Sequence, residues 1–588
     1  MLTKYTKKIL EVAKGQAKAD LLIKNVNLVN VFTHEIEKAD ISVSHGIIAR
    51  VGLSGSDSCK YDAGEVIDGT GKYLIPGLLD AHTHIEMSFM SAVPFAEAVI
   101  PQGTTGAILD MHDIRNVSME ALQWFAKEIG TTPLKAYLMI PPCVPSSPGQ
   151  EDSGIVMDLE QLQKAMAIPG AFGLGETMDF NRVVSEEDEM MAMLSWAKEQ
   201  GYPIDGHCPE LRGDSLQAYA AAGVSSDHES VSLEEMLEKY RLGMKIVLRR
   251  GSLDEPVRAG DFIDSLKDTS NVLLATDGCI QLDTIINQGT MITALRDMVK
   301  EGVDPITAVQ LGTINVARSY GLHNKIGVIA PGRDADMVLV SDLKDFKVIT
   351  VFVNGEKIPP AGKYELPRFQ YPETVLNTVK LDAVEKDFFK IPAPVQNGQV
   401  NVRVIGVSET SLITAERHEN VKVSNGEIHV DTSRDILKIA VLDRYKSGGR
   451  ATTALVTGFG FKKGALAGTI GQDSQNLIVV GADDSDMALA VNTLREIQGG
   501  IVYVVDGKVI AKIELPLGGI MNCKMKPQEI LKEFNTLSEC VKKEGGLFNN
   551  PSFPLAFMLT CPVIPELKIT NCGLIDALSG NKVSLFAD

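Results

Sequence analysis

The sequence predicts an α/β protein. It reads as a (β/α)8 TIM-like barrel inserted in a small β-sandwich, followed by a separate C-terminal α+β domain. Three observations predict this. Short apolar runs alternate eight times with longer amphipathic segments between residues 71 and 325, which is the pattern of βα units and, at roughly 250 residues, the size of a TIM barrel. Two β-rich blocks of similar texture flank that stretch, each too short to bury a core alone. From about residue 370 the texture changes. A doubly wound sheet is the runner-up for the same alternation. The length of 588 residues suits two or three domains.

Taken in order, Tyr5, Ile9, Val12 and Ala13 suit one face of a short N-terminal helix. DLLIKNVNLVNVF and ADISVSHGIIARVG then read as strands, so residues 1–70 form the first half of the sandwich. Eight strands are expected in the barrel, residues 71–325: Tyr73–Leu79, Gly106–Met111, Leu134–Ile140, Ala171–Glu176, Tyr202–His207, Val224–His228, Lys245–Arg249 and Val272–Asp277. An amphipathic helix, a stop at Gly321 and a Pro331-Gly332 turn lead into ADMVLVSDLKDFKVITVFVNGEKI, the returning half of the sandwich at 326–365. Pro359-Pro360 and Pro372 mark a linker, and residues 370–588 mix strands with two long helices. Asp483-Asp484-Ser485-Asp486 reads as a capped helix start before it reads as a cation site. GFGFKKGALAG does not open a helix after a strand and carries little weight as a phosphate loop.

The polar residues cluster where the apolar runs end. His82 and His84 close the first, Asp110 and His112 the second, Glu176 the fourth, and His207 the fifth. Asp227-His228-Glu229 closes the sixth, Arg249-Arg250 the seventh and Asp277 the eighth. In a TIM barrel these ends meet at one mouth. One His-x-His is weak, because two surface histidines explain it equally well. A histidine or carboxylate at nearly every strand end is strong. Five of the ten histidines sit there; His34, His45, His323, His418 and His429 read as surface or packing residues. Histidine and carboxylate donors without thiolate suit zinc, iron or manganese. Four histidines and two carboxylates exceed the needs of one catalytic ion, so a two-metal site is the natural reading, with Glu176 or a water as bridge. Arg249 and His112 are candidates to bind substrate or to orient a ligand.

Composition limits the alternatives. The hydrophobic fraction is 44% and the charged fraction 23%, as in ordinary globular proteins. A net charge of −19 argues against a general nucleic-acid or anionic-membrane partner. No run approaches the ~18 apolar residues of a membrane span, and the N-terminus lacks a secretory apolar stretch, so the expected location is cytoplasmic. The eight cysteines are scattered without C-x-x-C and read as reduced thiols. Cys208 and Cys279, beside the expected site, read as small apolar fillers.

PGLLDAHTHIE, QGTTGAILDMHDIRNV, GLGETM, PIDGHCP, AAGVSSDHES and GVIAPGRDADMVLV resemble the amidohydrolase superfamily, and specifically its adenine deaminase family. DSQNLIVVGADDSDMALAVN, ELPLGGIM and AFMLTCPVIPELKIT resemble that family's C-terminal domain. The resemblance implies that His82, His84, Glu176, His207, His228 and Asp277 ligate a binuclear centre of manganese or iron, with zinc as the alternative. It implies that Glu176 bridges the metals and that Asp277 doubles as proton shuttle. Glu86, His112 and Arg249 become candidate contacts to a purine base. A homodimer or larger homo-oligomer is expected on the same ground. The chain departs from the family pattern at Glu86-Met87-Ser88-Phe89-Met90, Arg249-Arg250-Gly251-Ser252, Thr276-Asp277-Gly278 and Gln472-Asp473-Ser474-Gln475-Asn476. The implied reaction is hydrolytic deamination of adenine to hypoxanthine and ammonia. Two readings stay open beside it. One is the same chemistry on another heterocycle or a cyclic amide, with Arg250 pointing to a negatively charged one. The other is an inactive barrel kept as an assembly subunit.

Overall fold

The computed structural model describes residues 2–53, 62–250, 255, 257–278, 280–409 and 411–587. Cys59, Cys279 and the Gly251-Ser252 pair lie outside them. A helix spans Leu2–Ala13 and buries Val12, while Tyr5 on the same helix is exposed.

The small sheet is built from both flanks of the barrel. Its strands are β1 (Ala19–Asn30), β2 (Glu35–Ser44), β3 (Ile47–Leu53), β4 (Ala63–Asp68) and β5 (Tyr73–Pro76). A bulge between Ile23 and Val26 divides β1. Its first half pairs with β4 and its second half with β5, so the sheet folds over a core that includes Ile23, Val26, Ile41 and Leu74.

The barrel strands are β6 (Leu78–Thr83), β7 (Thr104–Asp110), β8 (Lys135–Ile140), β9 (Ala171–Thr177), β10 (Ile204–Gly206), β11 (Ser226–Asp227), β12 (Lys245–Arg249) and β13 (Val272–Ala275). They form two parallel arcs, β6 to β10 and β11 to β13. Ser225 N donates to the Ile204 carbonyl at 3.0 Å, and Asp277 N to the His82 carbonyl at 2.9 Å. These bonds join the arcs at both ends into a ring, as the TIM-like barrel requires and a doubly wound sheet does not.

The apolar run Tyr73–Leu79 is not one strand. Its first part, β5, pairs antiparallel with β14 (Met337–Val340) in the small sheet. Only from Leu78 does the chain join the barrel, and His82 lies inside β6 rather than beyond it. The crossing is at Gly77, where a Cβ would lie 2.2 Å from Thr105 Oγ1. Only glycine allows that approach. β15 (Val348–Val353) and β16 (Glu356–Lys357) complete the small sheet. The fifth and sixth barrel strands are shorter than the apolar runs at 202–207 and 224–228 predict, which leaves His207 and His228 on the following loops.

Beyond the linker, a ten-stranded sheet runs from Ile391 to Glu514 in sequence and carries the helices Asp484–Ile497 and Pro527–Lys543. The Asp483 side chain accepts from Ser485 N and Asp486 N, so the acidic run there is a helix cap. No described helix is long and apolar enough to cross a membrane.

Candidate metal centre

Six side chains from five strand ends converge at the barrel mouth. His82 and His84 come from β6, Glu176 from β9, His207 and His228 from the loops after β10 and β11, and Asp277 from the turn after β13. All are buried, none more than 9% exposed.

Glu176 lies at the centre. Its Oε1 is 3.4 Å from His82 Nε2 and 2.9 Å from His84 Nε2. Its Oε2 is 2.7 Å from His207 Nδ1 and 3.5 Å from His228 Nε2. One carboxylate oxygen therefore serves each histidine pair. Asp277 Oδ1 is 3.3 Å from both His82 Nε2 and His84 Nε2. Three triads, His82–His228–Asp277, His82–His84–Glu176 and Glu176–His207–His228, each hold their donor atoms within 4.8 Å of one another.

These contacts are not an ordinary hydrogen-bond network. His82 Nε2 and His207 Nδ1 are fully buried yet have no hydrogen-bond partner, although both lie close to carboxylate oxygens. Orphaned buried donors are costly. Atoms crowded around common points but misaligned for hydrogen bonding are what cation ligands look like, so the donor set fits a divalent metal site. Electrostatics agree. Burial pushes Glu176 up, but the neighbouring histidines outweigh it and hold its carboxyl well below the usual range. Burial also opposes charge on His82, yet the Asp277 and Glu176 carboxylates close to its Nε2 raise it to about 10. His84 and His207 are raised in the same way.

Surrounding groups fix the orientation of these side chains. Asp110 Oδ2 accepts from Glu176 N at 2.7 Å, and His84 Nδ1 faces the Asp110 carbonyl at 3.3 Å. Gly175 permits this, since a Cβ there would lie 2.2 Å from Asp110 Oδ2. Asp80 accepts from Thr276 N at 3.0 Å and from Thr276 Oγ1 at 2.5 Å, pinning the strand that leads to Asp277. Asp277 itself has φ +56°, a left-handed conformation uncommon for a non-glycine residue. Arg249 Nη1 donates to Asp277 Oδ2 at 3.0 Å and to Glu229 Oε1 at 2.7 Å. Arg249 thus orients a candidate ligand.

The chain matches the amidohydrolase family over residues 73–358 and the adenine deaminase C-terminal domain over residues 411–581. It is 39% identical to the adenine deaminase of Archaeoglobus fulgidus over 584 residues, covering 99% of this chain and 98% of that protein. It is 36% identical to the adenine deaminase of Moorella thermoacetica over 593 residues, covering 99% and 98%. The chain belongs to the adenine deaminase family of amidohydrolases. Among solved structures, a beta-aspartyl dipeptidase from Fervidobacterium islandicum AW-1 is similar at a TM-score of 0.45 and 20% identity, covering 60% of this chain and 100% of that one.

The remaining expected residues separate into two groups. His112 and Glu86 sit at the edge of the cluster. The His112 ring centroid is 5.7 Å from that of His84. Burial opposes its charge, but Asp473 and Asp113 raise it to about 10. Burial and the Asp113 charge push Glu86 up to about 8. Arg250, in contrast, turns away. Its guanidinium donates to the Val257 carbonyl at 2.9 Å and to Glu301 at 3.2 Å, tying the end of β12 to the C-terminal end of the helix Met291–Lys300. Its charge is spent in the scaffold, which removes the ground for expecting a negatively charged substrate.

Two features are not among the expected site residues, although the first lies in the altered Gln472–Asn476 stretch. Asp473, Gln472 and Gln475 reach the mouth from the C-terminal domain. The other is Lys239, fully buried on the helix Leu233–Arg241. Its ammonium donates to the Cys208 carbonyl (2.7 Å), Asp227 (3.0 Å), Ser230 (3.2 Å) and Glu235 (2.5 Å). Cys208 follows His207 and Asp227 precedes His228, so one lysine clamps the two loops that carry these candidate ligands. Lys239→Met would leave two buried carboxylates unpaired, at a cost of about 3–5 kcal/mol. It should also weaken metal affinity by about 10- to 100-fold. Urea unfolding and metal content after dialysis would check this, and unchanged values for both would refute it.

Proposed function

We propose that this protein is a metal-dependent adenine deaminase, converting adenine and water to hypoxanthine and ammonia. The observation that carries the reading is Glu176 set between two histidine pairs, with Asp277 against one of them, in a chain related to adenine deaminases over nearly its whole length. We assign a binuclear centre with His82, His84, His207, His228, Glu176 and Asp277 as its holders. Manganese or iron suits it first, and zinc second.

The bound cations would supply an acidified water as the nucleophile for C6 of the base. The chain's own groups do the rest. Asp277 Oδ1 relays the two protons of the attacking water in turn, the first to the ring nitrogen and the second to the departing amine, which leaves as ammonia. Arg249 holds Asp277 Oδ2 and keeps the opposite oxygen turned inward. Glu176 keeps the two histidine pairs in register. His112 and Glu86 contact the base, and burial of the whole set excludes competing water. The intact donor set speaks against an inactive barrel, and the spent charge of Arg250 speaks against an anionic substrate.

The test is adenine turnover by manganese-loaded protein with metal analysis on the same sample. Equal amounts of hypoxanthine and ammonia are expected with about two ions per chain. Full metal occupancy without ammonia release from adenine would sink the assignment.

A further inference from the structure

The C-terminal domain sits on the barrel mouth, over the loops that follow the first three barrel strands. After β6, Asn522 N donates to the Phe89 carbonyl at 2.8 Å and Ser91 N donates to the Asn522 carbonyl at 3.1 Å. After β7, the side-chain amides of Gln472 and Gln475 donate to Asp113 Oδ1 at 3.1 and 2.7 Å. After β8, Arg450 pairs with Asp152 at 2.8 Å, and Asn476 Nδ2 donates to the Asp152 carbonyl at 2.7 Å. A small molecule at the metal centre therefore has the C-terminal domain as one wall.

The side chains at that wall form a pair. His112 Nε2 is buried and has no hydrogen-bond partner. Asp473 Oδ1 lies 3.7 Å from it, too far for a hydrogen bond. Asp473 is only 3% exposed, and its other oxygen accepts from the Cys561 thiol at 3.5 Å. Asp113 Oδ1 is 3.7 Å from the other ring nitrogen of His112, and the two glutamine amides fix that carboxylate in turn. A buried donor and a buried acceptor thus stand side by side without satisfying each other. Such a pair suits a ligand edge carrying an acceptor next to a donor. A free purine base has that edge on its N3 and N9–H atoms. That edge lies across the ring system from C6, the side left for the C-terminal domain when C6 meets the metals. In a nucleoside, or any N9-substituted purine, the donor is gone and its substituent would meet the carboxylate.

We infer that His112 of the barrel and Asp473 of the C-terminal domain together read the N3/N9–H edge of the free base, and that Asp473 is a specificity-determining residue for base over nucleoside. This rests on the adenine deaminase reading. It gives the C-terminal domain a direct part in substrate recognition. A site built to bond a substrate donor rejects analogues lacking it strongly, because its own buried group is left unpaired.

The experiment compares adenine, 9-methyladenine and adenosine as substrates and competitive inhibitors of the metal-loaded enzyme and of Asp473→Asn. The unaltered enzyme should bind 9-methyladenine at least about 100-fold more weakly than adenine. In Asp473→Asn the KM for adenine should rise about 10- to 100-fold, with kcat and metal content changing far less. The preference over 9-methyladenine should shrink by at least about tenfold. Equal binding of adenine and 9-methyladenine by the unaltered enzyme would overturn the inference without needing any variant to fold. So would an Asp473→Asn enzyme with unchanged preference, or one whose loss follows loss of metal. Ammonia release from adenine by the unaltered enzyme alongside any of these results would leave the deaminase reading standing. An unaltered, metal-filled enzyme inert toward adenine would overturn both.

Discussion

Asp277→Asn should lower kcat for adenine by about 10³-fold while metal content stays near that of the unaltered protein. The expectation follows from how much of Asp277 the substitution preserves. Asparagine is isosteric, and it tolerates the left-handed backbone that Asp277 adopts at φ +56°. The main-chain bond from residue 277 to the His82 carbonyl survives, so the seam between first and last strands stays closed. The amide oxygen can still face His82 and His84. What is lost is basicity. Burial pushes the Asp277 carboxyl up, but the neighbouring His82 and His84 imidazoles and the Arg249 charge hold it well below the ordinary range. It is therefore ionised at neutral pH and able to accept a proton, which an amide cannot do. A positioned acid–base group typically contributes about 10²- to 10⁴-fold. Ammonia release and metal analysis on one preparation decide the matter. Turnover within tenfold of normal would exclude the shuttle role. A loss of turnover matched by loss of metal would make Asp277 a ligand and nothing more.

Much of this site is legible in the chain because strand ends concentrate its chemistry. A buried strand reads as an apolar run, and a polar residue closing it stands out. His82, His84, Glu176, His207, His228 and Asp277 are all found that way. The division at Gly77 is not legible. Tyr73–Leu79 is apolar throughout, and only the approach of Thr105 shows that the first part belongs to another sheet. Arg250 misleads because its neighbour Arg249 faces the site, and adjacent residues on a strand face opposite ways. Its true partner, Glu301, is 51 residues away. Lys239 sits in an ordinary amphipathic helix, where a lysine reads as solvent-facing. Asp473 is about 360 residues from His112, and no local pattern links them. Docking of one domain on another is fixed by complementary surfaces, and single-chain periodicity does not carry that information.

Stripping the metal should abolish turnover, restore it on manganese or iron addition, and change how stability depends on pH. Without cations, the imidazoles of His82, His84 and His207, raised by the carboxylates they face, hold the cluster together. In the folded protein the nearby Asp277 and Glu176 carboxylates raise His82 from an ordinary 6.5 to about 10, outweighing the cost of burying its charge. Its folded value lies above its unfolded one. The stabilisation it brings is therefore complete below pH ~6.5 and is lost as pH climbs toward ~10. His84 and His207 shift in the same direction. Glu176 and Asp277 shift the opposite way, so their contribution is present above pH ~4.5 and lost in acid. The metal-free protein should accordingly be most stable between these windows. Its thermal midpoint should fall by on the order of 5 °C between pH 7 and pH 10, because each tenfold gain in proton affinity on folding is worth about 1.4 kcal/mol and coupled groups share it. The metal-loaded protein should not follow, because cations replace the protons that the imidazoles would otherwise lose. For the same reason metal affinity should rise with pH, each bound ion releasing protons as it enters. Parallel melting curves for loaded and stripped protein would find a gap that widens with pH. A constant gap from pH 7 to pH 10 would mean that the imidazoles are already neutral in the stripped protein. Asp277 would then keep only Arg249 as a counter-charge and Glu176 would have none among the cluster's histidines, and the metal-free fold should loosen at the mouth at every pH rather than only in base.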